Sequence, residues 1–187
     1  MASHAAPKRI LVGLGVAALA CAALAGLGVS HRAAADIEGN SYVSETYGLR
    51  ATLPRGWRIT ESSGYPRTLL WLSRSKPRVR IAVAVDPIAT DCRAGATFCN
   101  RDPSSIAATL DAQLTAAGFA RGALRHDSRT PTLEYRIGNA YLRHAVIVVG
   151  DHVVSVILAA DSPADVAAMT RTFDRLVQSV RPTAPLQ

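Results

Sequence analysis

The chain has 187 residues, which suits one domain of ordinary size and an additional targeting segment. Hydrophobic residues make up 49% of it but aromatic residues only 5%, so the core must be built largely from aliphatic side chains. The net charge is +7, and three basic residues with no acid precede Asp36, so the rest of the chain carries only about +4. This mild excess falls short of what a nucleic-acid-binding face requires, and we therefore expect no nucleic-acid partner.

An uncharged apolar run from Ile10 to Val29 follows a short basic flank, residues 1–9. A run of about twenty such residues is long enough to span a bilayer, and the basic flank predicts that residues 1–9 stay in the cytoplasm. The small residues 33–35 also fit a signal-peptidase site. Residues 10–30 are thus either an uncleaved transmembrane anchor or a cleaved signal peptide. Either alternative predicts export, as a membrane-anchored extracytoplasmic domain or as a periplasmic or secreted one.

The folded domain is expected over residues 42–182. A polar stretch over residues 31–41 contains Gly39 and Asn40 and is predicted to be a linker. Residues 183–187 follow the last predicted helix and are expected to form a tail.

The first strand of the domain is predicted to begin at Tyr42 and Val43 and either to continue or to restart at Tyr47. From Tyr47 to Leu53, apolar and polar residues alternate with the period of a half-buried strand. Pro54 cannot donate to a strand ladder and Gly56 permits a reversal, so a turn should follow. Trp57 comes directly after this turn. Because it is large and apolar, we expect it to close one end of the core.

Two hairpins are predicted further along the chain. Residues 68–74 and 79–85 flank the turn at Lys76-Pro77, and the second of these runs alternates strongly. Residues 141–149 and 153–159 flank Gly150-Asp151, a common hairpin turn. Residues 145–149 are apolar on both faces and residues 153–159 are nearly all apolar, which predicts a sheet that is covered on both sides.

Two helices are predicted by their start signals. Asp102-Pro103 and Ser162-Pro163 each combine a capping residue with a proline at the first helical position. Apolar residues recur at helical spacing after both. The order of strands, helix, strands and helix predicts an α+β domain, an antiparallel β-sheet flanked by two main helices and preceded by the N-terminal hydrophobic helix.

These features resemble the PsbP-like superfamily of extrinsic photosystem subunits and their bacterial relatives. The resemblance covers roughly residues 42–182, and besides the order of elements two segments carry it: Tyr47-Gly48-Leu49 through Leu53-Pro54-Arg55-Gly56-Trp57, and Phe173…Leu176-Val177…Ser179-Val180. It implies the fold and a tendency towards non-catalytic, protein-binding roles. No ligand or partner residue of the family can be placed on this sequence.

Cys92 and Cys99 are predicted to form a disulfide bond. They lie seven positions apart in an exported domain with Gly95 between them, which favours a bridge that closes a small loop. Metal binding is disfavoured because two thiolates without a nearby histidine make a poor site.

Three histidines, His126, His144 and His152, lie in or beside predicted strands, and the alternation of residues predicts that His144 is the most buried. His144 and His152 could meet across the hairpin and, with Asp151 or Asp127, form a metal site or an acid–base pair. Hydrogen-bonded or surface histidines are the favoured interpretation. We therefore predict no metal site and no cofactor.

Motifs for catalysis are missing from the sequence: there is no Gly-x-Ser-x-Gly, no Gly-rich phosphate loop and no His-Glu-x-x-His. Serines 104, 105 and 162 lie at predicted helix starts, where capping accounts for them. We predict that the protein is not an enzyme.

Basic residues are concentrated on the first predicted hairpin and offer a surface for an acidic protein or another anionic partner: Arg67, Arg74, Lys76, Arg78 and Arg80. A solvated strand edge is the competing interpretation. The function predicted from the sequence is a non-catalytic exported accessory domain that binds another protein, and that contacts the membrane through residues 10–30 if these are uncleaved. The alternative is a periplasmic module that binds a small ligand or a metal.

Overall fold

The computed structural model describes residues 36–61, 67–90, 98–125 and 130–183. Within these ranges an antiparallel sheet of seven strands, in the order β4-β5-β6-β10-β9-β8-β7, forms the centre of the structure. Its strands are β4 (Arg58–Glu61), β5 (Thr68–Arg74), β6 (Val79–Pro87), β7 (Ala120–Arg125), β8 (Thr132–Ile137), β9 (Ala140–Val149) and β10 (His152–Ala160).

A second, smaller antiparallel sheet has the order β1-β2-β3-β11. Its strands are β1 (Asp36–Glu38), β2 (Ser41–Ser44), β3 (Leu49–Thr52) and β11 (Arg181–Pro182). The single sheet expected from the sequence is therefore divided, because the turn after Leu53 separates β3 from β4 and β3 pairs with β2 and β11 instead.

Two helices are capped as their sequences predict. Helix α1 (Pro103–Ala116) begins after Asp102, whose carboxylate accepts a hydrogen bond of 2.9 Å from the Ser105 backbone N–H. Helix α2 (Pro163–Ser179) begins after Ser162, whose hydroxyl oxygen accepts one of 3.1 Å from the Asp165 backbone N–H. Each cap satisfies a backbone donor that the helix itself leaves unpaired.

Apolar clusters cover both faces of the large sheet. On one face α2 and the small sheet pack against alternate residues of β5, β6, β9 and β10, and on the other face α1 packs against the remaining ones. Phe173 of α2 is fully buried in the first cluster, and Trp57 is 8% exposed there, as a core residue should be. The expected cover on both faces of β9 and β10 is confirmed.

The α+β class with antiparallel sheets and two helices is thus confirmed within the described residues. One expectation was wrong at the amino-terminal boundary: residues 36–38, assigned to a linker over 31–41, form β1 because they pair with β2. The hydrophobic helix expected over residues 10–30 lies outside the described residues. In the described part of the chain, no helix is long and apolar enough to cross a membrane.

Candidate functional site

The β5–β6 hairpin presents basic side chains at its tip. Arg74, Lys76 and Arg78 are exposed, whereas Arg80 is half-buried on β6. The nearest acid to Arg78 is Asp161, 4.0 Å away, and both side chains are more than half exposed, so this contact neutralises little of the charge. Three of the five predicted basic residues therefore gather at the hairpin tip, whereas Arg80 points to the opposite face of the sheet from Arg74.

Arg67 does not belong to this group. Its guanidinium donates to the Asp86 carboxylate at 2.5 Å, and its carbonyl accepts a hydrogen bond from the Val85 backbone N–H. Because Val85 and Asp86 lie at the far end of β6 from the hairpin tip, Arg67 stabilises the start of β5 and adds no charge to the tip.

The histidines do not form a joint site. Strand register places His144 opposite Ile157 and His152 opposite Val149, so they lie five residues apart along β9, about 17 Å, and on opposite faces of the sheet. The proposed meeting of His144 and His152 across the hairpin was wrong, since only positions that share a rung approach each other. His152 instead contacts the Asp151 carboxylate at 2.8 Å and the ring of Tyr47.

Burial dominates the chemistry of His144. The residue is 2% exposed, and this burial lowers the pKa of His144 from its ordinary value of 6.5 to about 4. The side chain is therefore neutral near pH 7. His126 and Asp127 lie outside the described residues, and within those residues no three His, Cys, Asp or Glu side chains are grouped as metal ligands.

The predicted disulfide cannot be traced through both of its residues. Cys99 is described and exposed, while Cys92 lies outside the described residues. The Cys92–Cys99 bond remains a prediction.

A cleft of about 480 Å³ lies between the first half of α2 and the strands β7, β8 and β9. On the helix side its lining residues are small, and they leave room that larger side chains would fill: Pro163, Val166, Ala167 and Thr170. On the sheet side the cleft is lined by Ala120, Arg121, Gly122, Glu134, Tyr135, Arg136, Tyr141, Leu142 and Arg143. Polar and charged groups of β8 and β9 thus converge on a mainly apolar helix face.

A row of directly opposed residues runs across the sheet into this cleft. Leu72, Ile81 and Leu158 occupy its first part in the apolar core, and Arg143 and Glu134 continue it on β9 and β8. The hydrophobic core therefore ends at a charged pair, and the cleft lies where the apolar packing stops.

Arg143 is held tightly in that position. Its side chain is only 6% exposed and its guanidinium donates to the carboxylates of Glu134 at 3.4 Å and Asp174 at 3.2 Å. The guanidinium carbon also lies 5.6 Å from the centroid of the Phe173 ring, a cation–π contact. The buried Nε of Arg143 has no hydrogen-bond partner among the described residues, so one donor beside the cleft remains unused by the protein.

The cleft and the hairpin tip are connected by another row of opposed residues. Arg136 on β8 lies opposite Tyr141, followed by Ala160, Val79 and finally Arg74 on β5. Arg74 and Arg136 are four strand spacings apart, about 19 Å, and project from the same face at the same end of the sheet. We call the surface formed by Arg74, Lys76, Arg78, Arg136 and the cleft the basic end.

Sequence reasoning found the hairpin residues but missed Arg136, Arg143 and the cleft. One signal in the sequence could have revealed the cleft. Arg143 is a charged residue within the longest apolar strand, and its side chain points to the opposite face from Leu142 and His144. A long apolar strand seldom carries a buried charge unless that charge is paired, so Arg143 indicated a polar site on that face.

Several solved structures share this fold, including those of a cyanobacterial and a yeast protein. The cyanobacterial PsbP (CyanoP) of Synechocystis sp. PCC 6803 is 16% identical, with a TM-score of 0.55 over 85% of this chain and 98% of its own. The Ran-binding protein Mog1p of Saccharomyces cerevisiae is 8% identical, with a TM-score of 0.51 over 79% of this chain and 97% of its own. No family model matches the sequence, and the search of curated proteins gives no match. The PsbP-like fold is thereby confirmed, and identities this low show the fold alone.

Proposed function

We propose that this chain, whose fold is PsbP-like, is a non-catalytic exported domain that binds an acidic region of another protein through its basic end. The observation that carries the proposal is the shared position of the hairpin charges and the cleft. Arg74 and Arg136 face the same side about 19 Å apart, with the cleft beside Arg136.

One protein partner can cover both features. A standard interface buries about 800 Å² on each side, which corresponds to a patch roughly 30 Å across. Exposed charges such as Arg74 and Lys76 then guide association and restrict the choice of partner. The cleft offers a recess for an anchoring side chain, the feature that supplies most of the affinity in protein interfaces.

Further support comes from the amino terminus and from the fold. The apolar run from Ile10 to Val29 with its basic flank is typical of an anchor or a signal peptide, so the basic end would face an extracytoplasmic partner. Mog1p is named as a Ran-binding protein, and a fold of this kind is therefore compatible with protein binding.

Site-specific photo-crosslinking in living cells tests the proposal. A photoreactive amino acid at Lys76 or Ala167, both at the basic end and exposed, should capture the same protein. The same amino acid at Thr46 or Gln178, exposed positions outside the basic end, should not capture it. Identical products from all four positions, or no product from the first two, would contradict the proposal.

A small-ligand module is the second candidate, because the cleft volume of about 480 Å³ lies within the range of small-molecule sites. A ligand with a carboxylate and an apolar body would match Arg136 and the helix face of the cleft. This candidate predicts that the basic hairpin is dispensable, so variants of Arg74 and Arg78 separate the two functions.

A further inference from the structure

The cleft opens sideways onto an edge of the large sheet. Among the described strands, β7 lies at one end of the sheet and pairs with β8 only. The two cleft-facing positions of β7 are Ala120 and Gly122, so no large side chain stands between the edge and the interior of the cleft. A side chain that approaches from the edge can therefore reach the groups of β8.

Gly122 is required where β7 approaches the backbone of β8 closely. A Cβ atom at that position would lie 2.9 Å from the Glu134 carbonyl oxygen, closer than side chains tolerate. The register between β7 and β8 also shifts between Arg121 and Leu124. The close approach of the two backbones thus excludes a side chain at position 122. No side chain from this position therefore fills the cleft.

Among the described charged residues that line the cleft, one cation is available to bind an anionic ligand. Glu134 and Asp174 both bind Arg143, and Arg121 binds Asp111 on the other face of the sheet. Arg136 is exposed and has no ion pair among the described residues. The cleft is therefore complementary to a single carboxylate placed beside Arg136.

We infer that the cleft takes an extended segment of the partner protein, which adds to the sheet as a strand along β7. This inference rests on the proposed function. An acidic side chain opposite Ala120 shares the face of Arg136 and lies two strand spacings from it, about 10 Å, a distance that the two long side chains span together. An apolar side chain two positions along the segment enters the space beside Ala167, because alternate residues of a strand face the same way.

An extended peptide fits this site better than a small molecule does. The outer side of β7 offers backbone donors and acceptors along the opening of the cleft, and an extended backbone can pair with several of them at once, whereas a small molecule reaches only a few. The acidic residue fixes the register of the added strand, and the apolar residue fills the space beside Ala167.

The test is to select a phage-displayed library of random linear peptides against the full chain, purified in mild detergent. Enriched peptides should combine an acidic residue with an apolar residue two positions away. Their affinity, measured by fluorescence anisotropy, should fall about tenfold or more in Ala167→Phe, which fills the cleft, and in Arg136→Glu. The matched variants Ala168→Phe and Arg175→Glu, at exposed α2 positions outside the cleft, should stay within about twofold.

Three results overturn the inference: a library without enriched peptides, enriched peptides that bind Ala167→Phe as tightly as the parent, or octanoate that occupies the cleft when no peptide does. The last result assigns the cleft to a small molecule. A fourth result, photo-crosslinking to a partner at Lys76 that survives Ala167→Phe, would also overturn the strand addition but would leave the proposed function standing.

Discussion

Replacing His144 with leucine should make the free energy of unfolding less dependent on pH between about pH 7 and pH 5. His144 lies between Leu133 and Ile157 on the neighbouring strands, and all three side chains face the apolar cluster that α1 covers. Its Nε2 atom is buried without a hydrogen-bond partner among the described residues. A leucine has a similar size and suits these apolar neighbours, so the variant should fold.

The direction of the pH effect follows from the pKa of His144, which burial lowers from 6.5 to about 4. The unfolded chain binds the proton more readily than the folded one, so protonation favours unfolding. The contribution of neutral His144 to stability is fully present above pH 6.5 and is lost as the pH falls towards 4. The whole shift corresponds to about 3 kcal/mol, of which about 2 kcal/mol is lost between roughly pH 7 and pH 5.

The assay is urea unfolding of both proteins at these two pH values, followed by tryptophan fluorescence. Carboxylates titrate equally in both proteins, so the difference between the two free energies of unfolding isolates His144. This difference should change by about 2 kcal/mol in favour of the variant at the lower pH. A difference that stays constant within about 0.5 kcal/mol would refute the argument from burial.

Other predictions test the core, the cysteines and the amino terminus. Trp57→Ala should lower the free energy of unfolding by roughly 3–5 kcal/mol, as measured by urea denaturation, because Trp57 lies in the main cluster; a variant as stable as the parent would show that this ring is not a core residue. In protein from an oxidising compartment, thiol labelling under denaturing, non-reducing conditions should leave Cys92 and Cys99 unmodified, and quantitative labelling of both would exclude the bridge. A reporter fused after Gln187 should be active only outside the cytoplasm, and mass analysis of the mature chain then shows whether residues 10–30 are retained.

Local signals were sufficient for the main elements. Asp102 and Ser162 were identified as caps because their side chains satisfy donors within three residues, a purely local interaction. The burial of His144 followed from its alternation with apolar neighbours in β9. Such features depend on residues that are close in sequence, and the sequence therefore predicts them.

The cleft depended on packing between distant segments and was not predictable in the same way. It exists because α2 presents Ala167 and Thr170 to a part of the sheet where β7 presents Gly122. No local pattern relates these positions. The small sheet was also missed, because β1 and β11 have only three and two residues, too few for an alternation to be recognised.

The measurement that tests the basic end most directly is the affinity of the photo-crosslinked partner for charge-reversed variants. Arg74→Glu combined with Arg78→Glu alters the basic end, while Arg171→Glu combined with Arg175→Glu makes the same change in net charge on exposed positions of α2. All four residues are exposed, so both double variants should melt like the parent. Calorimetric titration should show about tenfold or more weaker binding for the first pair and less than about twofold for the second. Equal losses for both pairs, or no loss for the first, would contradict a partner surface at the basic end.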